Sequence, residues 1–295
     1  MRDAKLENFL ANTPAMRGLA YRMTGSASEP DDIVQEAWLR WQAATGDIAN
    51  PRSYLLAIVA NLCLDRAKSA RRKREIYVGQ WLPEPVADAD PLLTTQRPDH
   101  AAESADSVST AFLLALERLT APERAALLLH DVFDFSFEEV AAMLARTPQG
   151  CRQLASRARK RVREARPNPP APPREAERLT KALLAVMQGG DLAGFAAMLA
   201  QDAVLVSDGG GMKAAAPNPI LGAERVLRFL AGLAAKTGAP KPDDIRLVAC
   251  NGAAAIALAD PDGGFQLWTL EWNADGRLAA IFLQRNPDKL AVMRL

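Results

Sequence analysis

Ser136-Phe-Glu-Glu-Val-Ala-Ala-Met-Leu-Ala-Arg-Thr-Pro-Gln-Gly-Cys-Arg-Gln-Leu-Ala-Ser-Arg-Ala-Arg-Lys-Arg161 reads as two short helices joined by a tight turn. Ser136 is placed to cap the first helix, and Glu139 stands at the third helical position to answer the cap's backbone amide. That helix should stop near Ala145-Arg146. Thr147 then caps the second helix and Pro148 takes its first position, where a missing N–H costs nothing. Cys151, Leu154, Ala155, Ala158 and Val162 fall at helical spacing and should face inward. The opposite face carries Arg152, Gln153, Ser156, Arg157, Arg159 and Lys160. Gln149, Arg152 and Gln153, at the start of such a helix, can reach base edges, while the later Arg and Lys residues neutralise phosphates. A charge run is often only a solvated face. Here the basic residues run almost unbroken by acids from Arg146 to Arg163, on the helix that a helix-turn-helix offers to the major groove, which favours DNA binding.

A chain of 295 residues, 49% hydrophobic, suggests two or three globular domains. The net charge of +1 means that nucleic-acid binding must come from local clusters and not from the field of the whole molecule. Cys63, Cys151 and Cys250 lie far apart in apolar patterns, which fits neither a metal site nor a disulfide framework; no cofactor and no metal are expected. The first residues lack an apolar signal core, and no run approaches the ~18 apolar residues of a membrane span. A soluble cytoplasmic protein, with no membrane partner and monomeric when free, is the expectation.

Residues 4–24 form an amphipathic pattern with Leu6, Phe9, Leu10, Met16, Leu19, Ala20 and Met23 as the expected buried set. A second helix starts near Pro30 and runs to Trp41, with acids in its first turn where the helix dipole favours them. Ile33, Ala37 and Trp41 share one face; Asp31, Asp32, Gln35, Glu36 and Arg40 remain for another, which is either plain solvated surface or a dock for a basic partner. Trp38 and Trp41 read as core. Asn50 caps and Pro51 opens a third helix, with Leu55, Ile58, Val59, Leu62 and Cys63 inward, ending in the basic run Arg66 to Arg74. Two separate basic helices suggest two contacts on one duplex, each weakening steeply with salt.

Ser28 to Trp41 and Pro51 to Asp65 resemble regions 2.2 to 2.4 of bacterial extracytoplasmic-function (ECF) sigma factors, and the helix-turn-helix resembles their region 4. The likeness covers residues 1–166. It implies that the helix bearing Asp31, Asp32, Gln35, Glu36 and Arg40 docks on core RNA polymerase. The loop from Thr45 to Asn50 with Arg52 and Tyr54 would receive an unstacked base of the −10 element, while Asn61, Arg66, Lys68, Arg71 and Arg72 hold the backbone. Gln149, Arg152, Gln153, Ser156 and Arg157, with Arg159 and Lys160, would bind the −35 element.

Residues 75–108 are rich in Pro, Asp and Ala and read as a linker. Within it Trp81-Leu82-Pro83-Glu84-Pro85 has the form of a docking peptide, an apolar anchor on a preformed extended backbone; an incidental patch on a nearby helix is the alternative. A helix over 109–119 follows, and Thr120-Ala-Pro-Glu123 is a second capping box opening a helix from Arg124 to Asp131.

Pro167 to Pro173 breaks the chain before a domain of different character. Helices over Glu175–Gln188 and Asp191–Leu199 lead to a strand at Ala203–Ser207. A glycine run, a helix over Ala223–Ala235 and strands at Ile245–Cys250, Ala253–Ala259, Phe265–Trp272 and Leu278–Arg285 complete it. Helices followed by a meandering sheet indicate an α+β cone. This order resembles the SnoaL-like branch of the NTF2-like superfamily. Sigma factors that carry it form the group called ECF41, similar to SigJ-type factors. The likeness rests on Trp81 to Pro85, on Asp208-Gly209-Gly210-Gly211 and on Asn286-Pro287-Asp288-Lys289-Leu290. One departure stands out: Met212 precedes Lys213, where the family has lysine directly after the glycines.

The expected organisation is therefore multidomain. Sigma region 2 covers 1–76, a linker 77–108, sigma region 4 covers 109–166, a Pro-rich linker 167–175, and an NTF2-like regulatory domain 176–295. The two helical modules are all-α and the last domain is α+β. The expected function is to direct core RNA polymerase to promoter DNA, with the C-terminal domain acting in cis by gripping the DNA-binding half through Trp81–Pro85 and Asn286–Leu290. The rival is a helix-turn-helix regulator whose last domain senses a small ligand in its pocket or acts as an enzyme. Catalysis is not expected: His100 and His130 lie outside that domain, Asp202 reads as loop, and Asp208 reads as a turn residue.

Overall fold

The computed structural model describes residues 2–46, 48–87, 108–165, 171–238, 240–260 and 263–293, with side chains at all of these except 2, 3 and 68–75. The stretch 88–107, most of the Pro-rich break and His100 lie outside the described residues. The chain divides into two compact units, Met1–Glu75 with Ala89–Pro167, and Ile76–Asp88 with Asn168–Leu295. Both helical modules thus fall in one unit, and the Trp81–Pro85 segment belongs to the other.

In the first unit α1 (Arg2–Thr24), α2 (Glu29–Ala43) and α3 (Pro51–Glu75) pack on one another. Met16, Leu19, Ile33, Ala37, Trp41, Leu55, Leu56, Val59 and Leu62 fill the space between them. Leu6 and Leu10, expected inside, are 43% and 59% exposed, because Phe9 takes the contact with α2, its ring lying 4.8 Å from that of Trp38. Ile58 and Trp38 are only half-buried. Asn50 caps α3 as expected, its side chain accepting from the Ser53 amide at 3.0 Å.

The second module comprises α4 (Thr110–Glu117), α5 (Ala121–Leu127), α6 (Phe137–Met143) and α7 (Pro148–Ala165). Capping boxes at Thr120/Glu123 and Ser136/Glu139 open α5 and α6. The helix expected to reach Asp131 instead loosens into a π turn over Leu128–Val132, which carries Phe133 and Phe135 into the core. The modules share a core: the buried Arg124 guanidinium donates to the Met23 carbonyl at 2.6 Å and to Glu117 at 2.8 Å. Fully buried Arg22 lies over the Phe133 ring, and its burial lowers its pKa to about 10.

In the second unit a six-stranded sheet has the order β2-β1-β6-β5-β4-β3, from β1 (Leu199–Asp208), β2 (Ile220–Leu221), β3 (Ile245–Cys250), β4 (Ala253–Ala259), β5 (Phe265–Trp272) and β6 (Leu278–Gln284). The β1–β6 pair is parallel and the others are antiparallel. β1 starts at Leu199, so Asp202 is an exposed strand residue and not a loop residue. Helices α8 (Pro173–Gly189), α9 (Leu192–Met198) and α10 (Ala223–Thr237) cover one face, where Leu183, Leu205, Val226, Ile256 and Ile281 are buried. Trp272 anchors α8 to this face through its indole N–H and Thr180 Oγ1, 3.2 Å apart. A smaller cluster, Cys250, Ala255, Ala257, Leu267, Leu290 and Met293, covers part of the other face under the short helix α11 (Pro287–Leu290).

The helix-turn-helix turn is closed by Ala145 in the left-handed region, φ 51°, with the Arg146 amide reaching back to the Ala141 carbonyl at 2.9 Å. A side chain in that region costs roughly 1–2 kcal/mol, partly offset by the entropy glycine would lose. Ala145→Gly should therefore raise stability by about 0.5–1 kcal/mol, measured by urea unfolding.

Candidate functional sites

In α7 the inner positions are as the spacing predicts: Cys151, Leu154, Ala155 and Ala158 are buried, and Val162 is half-buried. Gln149, Arg152, Gln153, Ser156, Arg157 and Lys160 are exposed, and Arg159 is half-buried. The arginines are held by acids of the same module. Arg152 pairs with Glu138 at 2.7 Å, and Asp131 takes both Nε and Nη2 of Arg159 at 2.8 and 2.5 Å. Arg157 and Arg161 meet Glu123 at 3.2 and 2.5 Å. Burial works to raise the Glu123 pKa, but hydrogen bonds from Thr120 and the two arginines outweigh it and hold the carboxyl below its ordinary value.

The region 2 candidates sit differently. Arg52 donates to the Phe133 carbonyl at 3.3 Å and lies over the Phe135 ring. Asn61 donates to the carbonyls of Ala57 and Met143, at 2.9 and 3.0 Å, so it closes the end of α6. Tyr54 is exposed with its ring beside Trp41. On α2, Glu36 joins Arg40 at 2.8 Å to Arg66 at 3.1 Å, and Asp31 pairs with Arg17 at 2.9 Å; Asp32 and Gln35 are exposed. The side chains of Lys68, Arg71 and Arg72 lie outside the described residues.

The C-terminal unit brings three distant segments to one point. Asp208, at the end of β1, is fully buried, and its two oxygens accept four hydrogen bonds. Oδ1 takes the Tyr77 hydroxyl at 2.6 Å and the Gly210 amide at 3.0 Å; Oδ2 takes the Leu82 amide at 2.8 Å and Lys289 Nζ at 2.7 Å. The buried Lys289 ammonium also donates to the Leu82 carbonyl at 2.6 Å and stands 4.6 and 4.5 Å from the ring centres of Tyr77 and Trp81. Such a position over aromatic faces favours a desolvated cation. Asn286 caps α11 through the Asp288 amide at 3.0 Å and donates to the Tyr77 hydroxyl at 2.8 Å. Burial, and then the hydrogen bond to Asp208, keeps the Tyr77 phenol protonated well above its usual range.

The glycines are required by close approach. At Gly210, with φ 61°, a Cβ would collide with the Asn286 carboxamide, and at Gly209 one would collide with the Lys213 carbonyl. Lys213 itself turns away, its Nζ 3.4 Å from Asp260, while Met212 is exposed. Beyond Trp81, the Pro83 carbonyl accepts from Gln284 at 3.4 Å, and Val86 exchanges hydrogen bonds with Asn251 through its amide and carbonyl, at 3.0 and 2.9 Å. Ala87 then bridges to Cys250. Pro85 and Leu290 are buried, Glu84 is half-buried, and Pro287 opens α11. Tyr77, Asn251 and Gln284 were not singled out from the sequence; of the three, only Tyr77 gave a signal there, as an aromatic four residues before Trp81.

Residues 9–73 match the family Sigma-70 region 2, and residues 109–162 match Sigma-70, region 4. The ECF RNA polymerase sigma factor SigJ of Mycobacterium tuberculosis is 35% identical, over 97% of this chain and 93% of its own length. A probable ECF RNA polymerase sigma factor, SigI, of the same species is 34% identical over 59% of each chain. The crystal structure of the M. tuberculosis SigJ superposes with a TM-score of 0.79 at 32% identity, covering 98% of this chain and 99% of that one.

Asp208→Asn would leave the buried Lys289 without its counter-charge, a change that costs about 3–5 kcal/mol. Hydrogen exchange at the Leu82 and Val86 amides should accelerate by roughly 10²–10⁴-fold as the segment is released. A second expectation concerns acid. Because the folded Glu123 pKa lies below its ordinary 4.5, its contribution is present above that pH and is lost as pH falls through the folded value. Unfolding of the helical unit followed against pH should show this loss, and Glu123→Gln should flatten it.

Proposed function

The chain belongs to the extracytoplasmic-function family of RNA polymerase sigma factors, and on that premise we propose that its C-terminal unit regulates its own promoter recognition by holding residues 76–87. The protein directs RNA polymerase in transcription initiation. On our reading α2, through Asp31, Asp32, Gln35, Glu36 and Arg40, meets core polymerase. Asn50, Arg52, Tyr54, Asn61, Arg66, Lys68, Arg71 and Arg72 serve the −10 element, and α7 serves the −35 element. These steps take place in the cytoplasm.

The observation that carries the regulatory reading is the convergence of Trp81–Pro85, Asp208–Gly211 and Asn286–Leu290 on one buried ion pair. A peptide held by a buried charge pair is bound in an all-or-none manner, since half-release strands a charge. Its sequence position, between the two DNA-binding modules, makes such a grip able to act on both. The same geometry supports a regulator over an enzyme: Asp208 is buried and its four acceptor positions are occupied by the protein, which leaves none for a substrate. A second support is that Arg52 and Asn61 are engaged by backbone carbonyls of the −35 module, so −10 binding requires those hydrogen bonds to be exchanged.

The test compares wild type, Asp208→Asn, Lys289→Met and a chain ending at Arg174, in competition with a labelled housekeeping sigma factor for bacterial core polymerase and in promoter-dependent transcription. All four should compete for core, and the three variants should shift transcription severalfold in the same direction. Transcription unchanged from wild type in all three would remove the regulatory reading while leaving the family assignment intact.

A further inference from the structure

Glu123 is the third residue of a capping box, a device that ordinarily stands at a helix surface. Here it is only 3% exposed. Its Oε2 accepts from the Thr120 amide at 3.0 Å, the Thr120 hydroxyl at 2.9 Å and Arg161 Nη1 at 2.5 Å, while Oε1 accepts from Arg157 Nε at 3.2 Å. Two arginines one turn apart on α7 therefore share one carboxylate at the start of α5, and the cluster keeps a net positive charge.

How each guanidinium is held matters. Asp131 takes Nε and Nη2 of Arg159, the edge that would grip a phosphate. Glu123 takes only Nε of Arg157 and only Nη1 of Arg161, and these side chains remain 56% and 45% exposed. Each guanidinium is thus tethered at one nitrogen, which restricts the fork while leaving its other edge for a further partner. A tethered planar fork loses less entropy when it forms a bidentate contact than a flexible lysine such as Lys160, which is exposed and meets Glu164 only at 3.9 Å.

We infer that Glu123 is a positioning residue for promoter recognition, holding Arg157 and Arg161 as a preformed pair of phosphate-binding forks on the −35 side. This rests on the reading that α7 meets DNA, and it adds to that reading Arg161 and an acid that never touches the duplex. Burial and neutralisation by both arginines keep that acid from repelling the phosphates.

The test is the salt dependence of promoter binding by the polymerase holoenzyme, assembled with wild type, Glu123→Gln, Thr120→Ala, the double variant Arg157→Ala/Arg161→Ala, and the triple combination with Glu123→Gln. Removing one arginine–phosphate pairing lowers the slope of log affinity against log salt by about 0.9. Glu123→Gln should weaken promoter binding severalfold at fixed salt, although loss of the carboxylate charge by itself would tighten it, and should add nothing in the background lacking both arginines. Thr120→Ala, which removes the cap hydroxyl and leaves the clamp, should lower the melting temperature without changing that affinity. A Glu123→Gln affinity equal to or above wild type, or a Thr120→Ala affinity that falls as far, overturns the inference. A wild-type slope in the double arginine variant would instead remove the reading of this α7 face on which the inference rests.

Discussion

The hold of the C-terminal unit on residues 77–82 turns on one buried charge pair, Asp208 with Lys289. Taking two ions out of water costs several kcal/mol each, and their attraction repays this only when the remaining donors and acceptors are satisfied. The structure meets that condition from all sides. Tyr77, the Leu82 backbone and the Gly210 amide complete the carboxylate, and two aromatic faces with a carbonyl complete the ammonium. The glycine run, the α11 cap and the extended backbone of 77–87 are the conditions for that closure. Replacing the pair by apolar residues could give equal stability, but not a grip that fails as a whole when one member leaves.

Much of the fold was legible because it is written locally. The Ser136/Glu139 and Thr120/Glu123 boxes, the Asn50 and Thr147 caps and the alternating strands from Ile245 onward each carry their signal within a few residues. The π turn after Leu127 and the two-residue strand β2 were not legible, since neither has a distinct composition. Leu6 and Leu10 misled because helical spacing gives the direction of a side chain and not the presence of a neighbour. In the site the limit was of the same kind. Asp208 beside glycines has the sequence of a turn, and only partners 131 and 81 residues away, Tyr77 and Lys289, make it a buried ion. The three family motifs were visible one by one, and Trp81–Pro85 and Asn286–Leu290 were readable as points of grip; that both close on a buried Asp208 was not.

The helical unit shows the complementary economy, in which the groups proposed to meet DNA are satisfied by partners within the unit. Arg52 and Asn61 close backbone carbonyls around the helix-turn-helix, and the arginines of α7 rest on Glu138, Asp131 and Glu123. The exposed pair Arg152–Glu138 is worth little in stability, at most about 1 kcal/mol, and on the proposed reading it gives way to a phosphate, whereas the buried Glu123 keeps its two arginines.

The docked segment also has a mechanical side. An extended chain spans at most about 3.3–3.6 Å per residue, so residues 76–87, held extended against the C-terminal unit, tie up about 40 Å of the covalent path between α3 and α4. On the regulatory reading proposed above, a path with part of its length fixed allows fewer arrangements of its ends than a free one. On that reading the buried lysine is a clutch on a rope: engaged, it holds one length of the path, and released, it returns that length as slack.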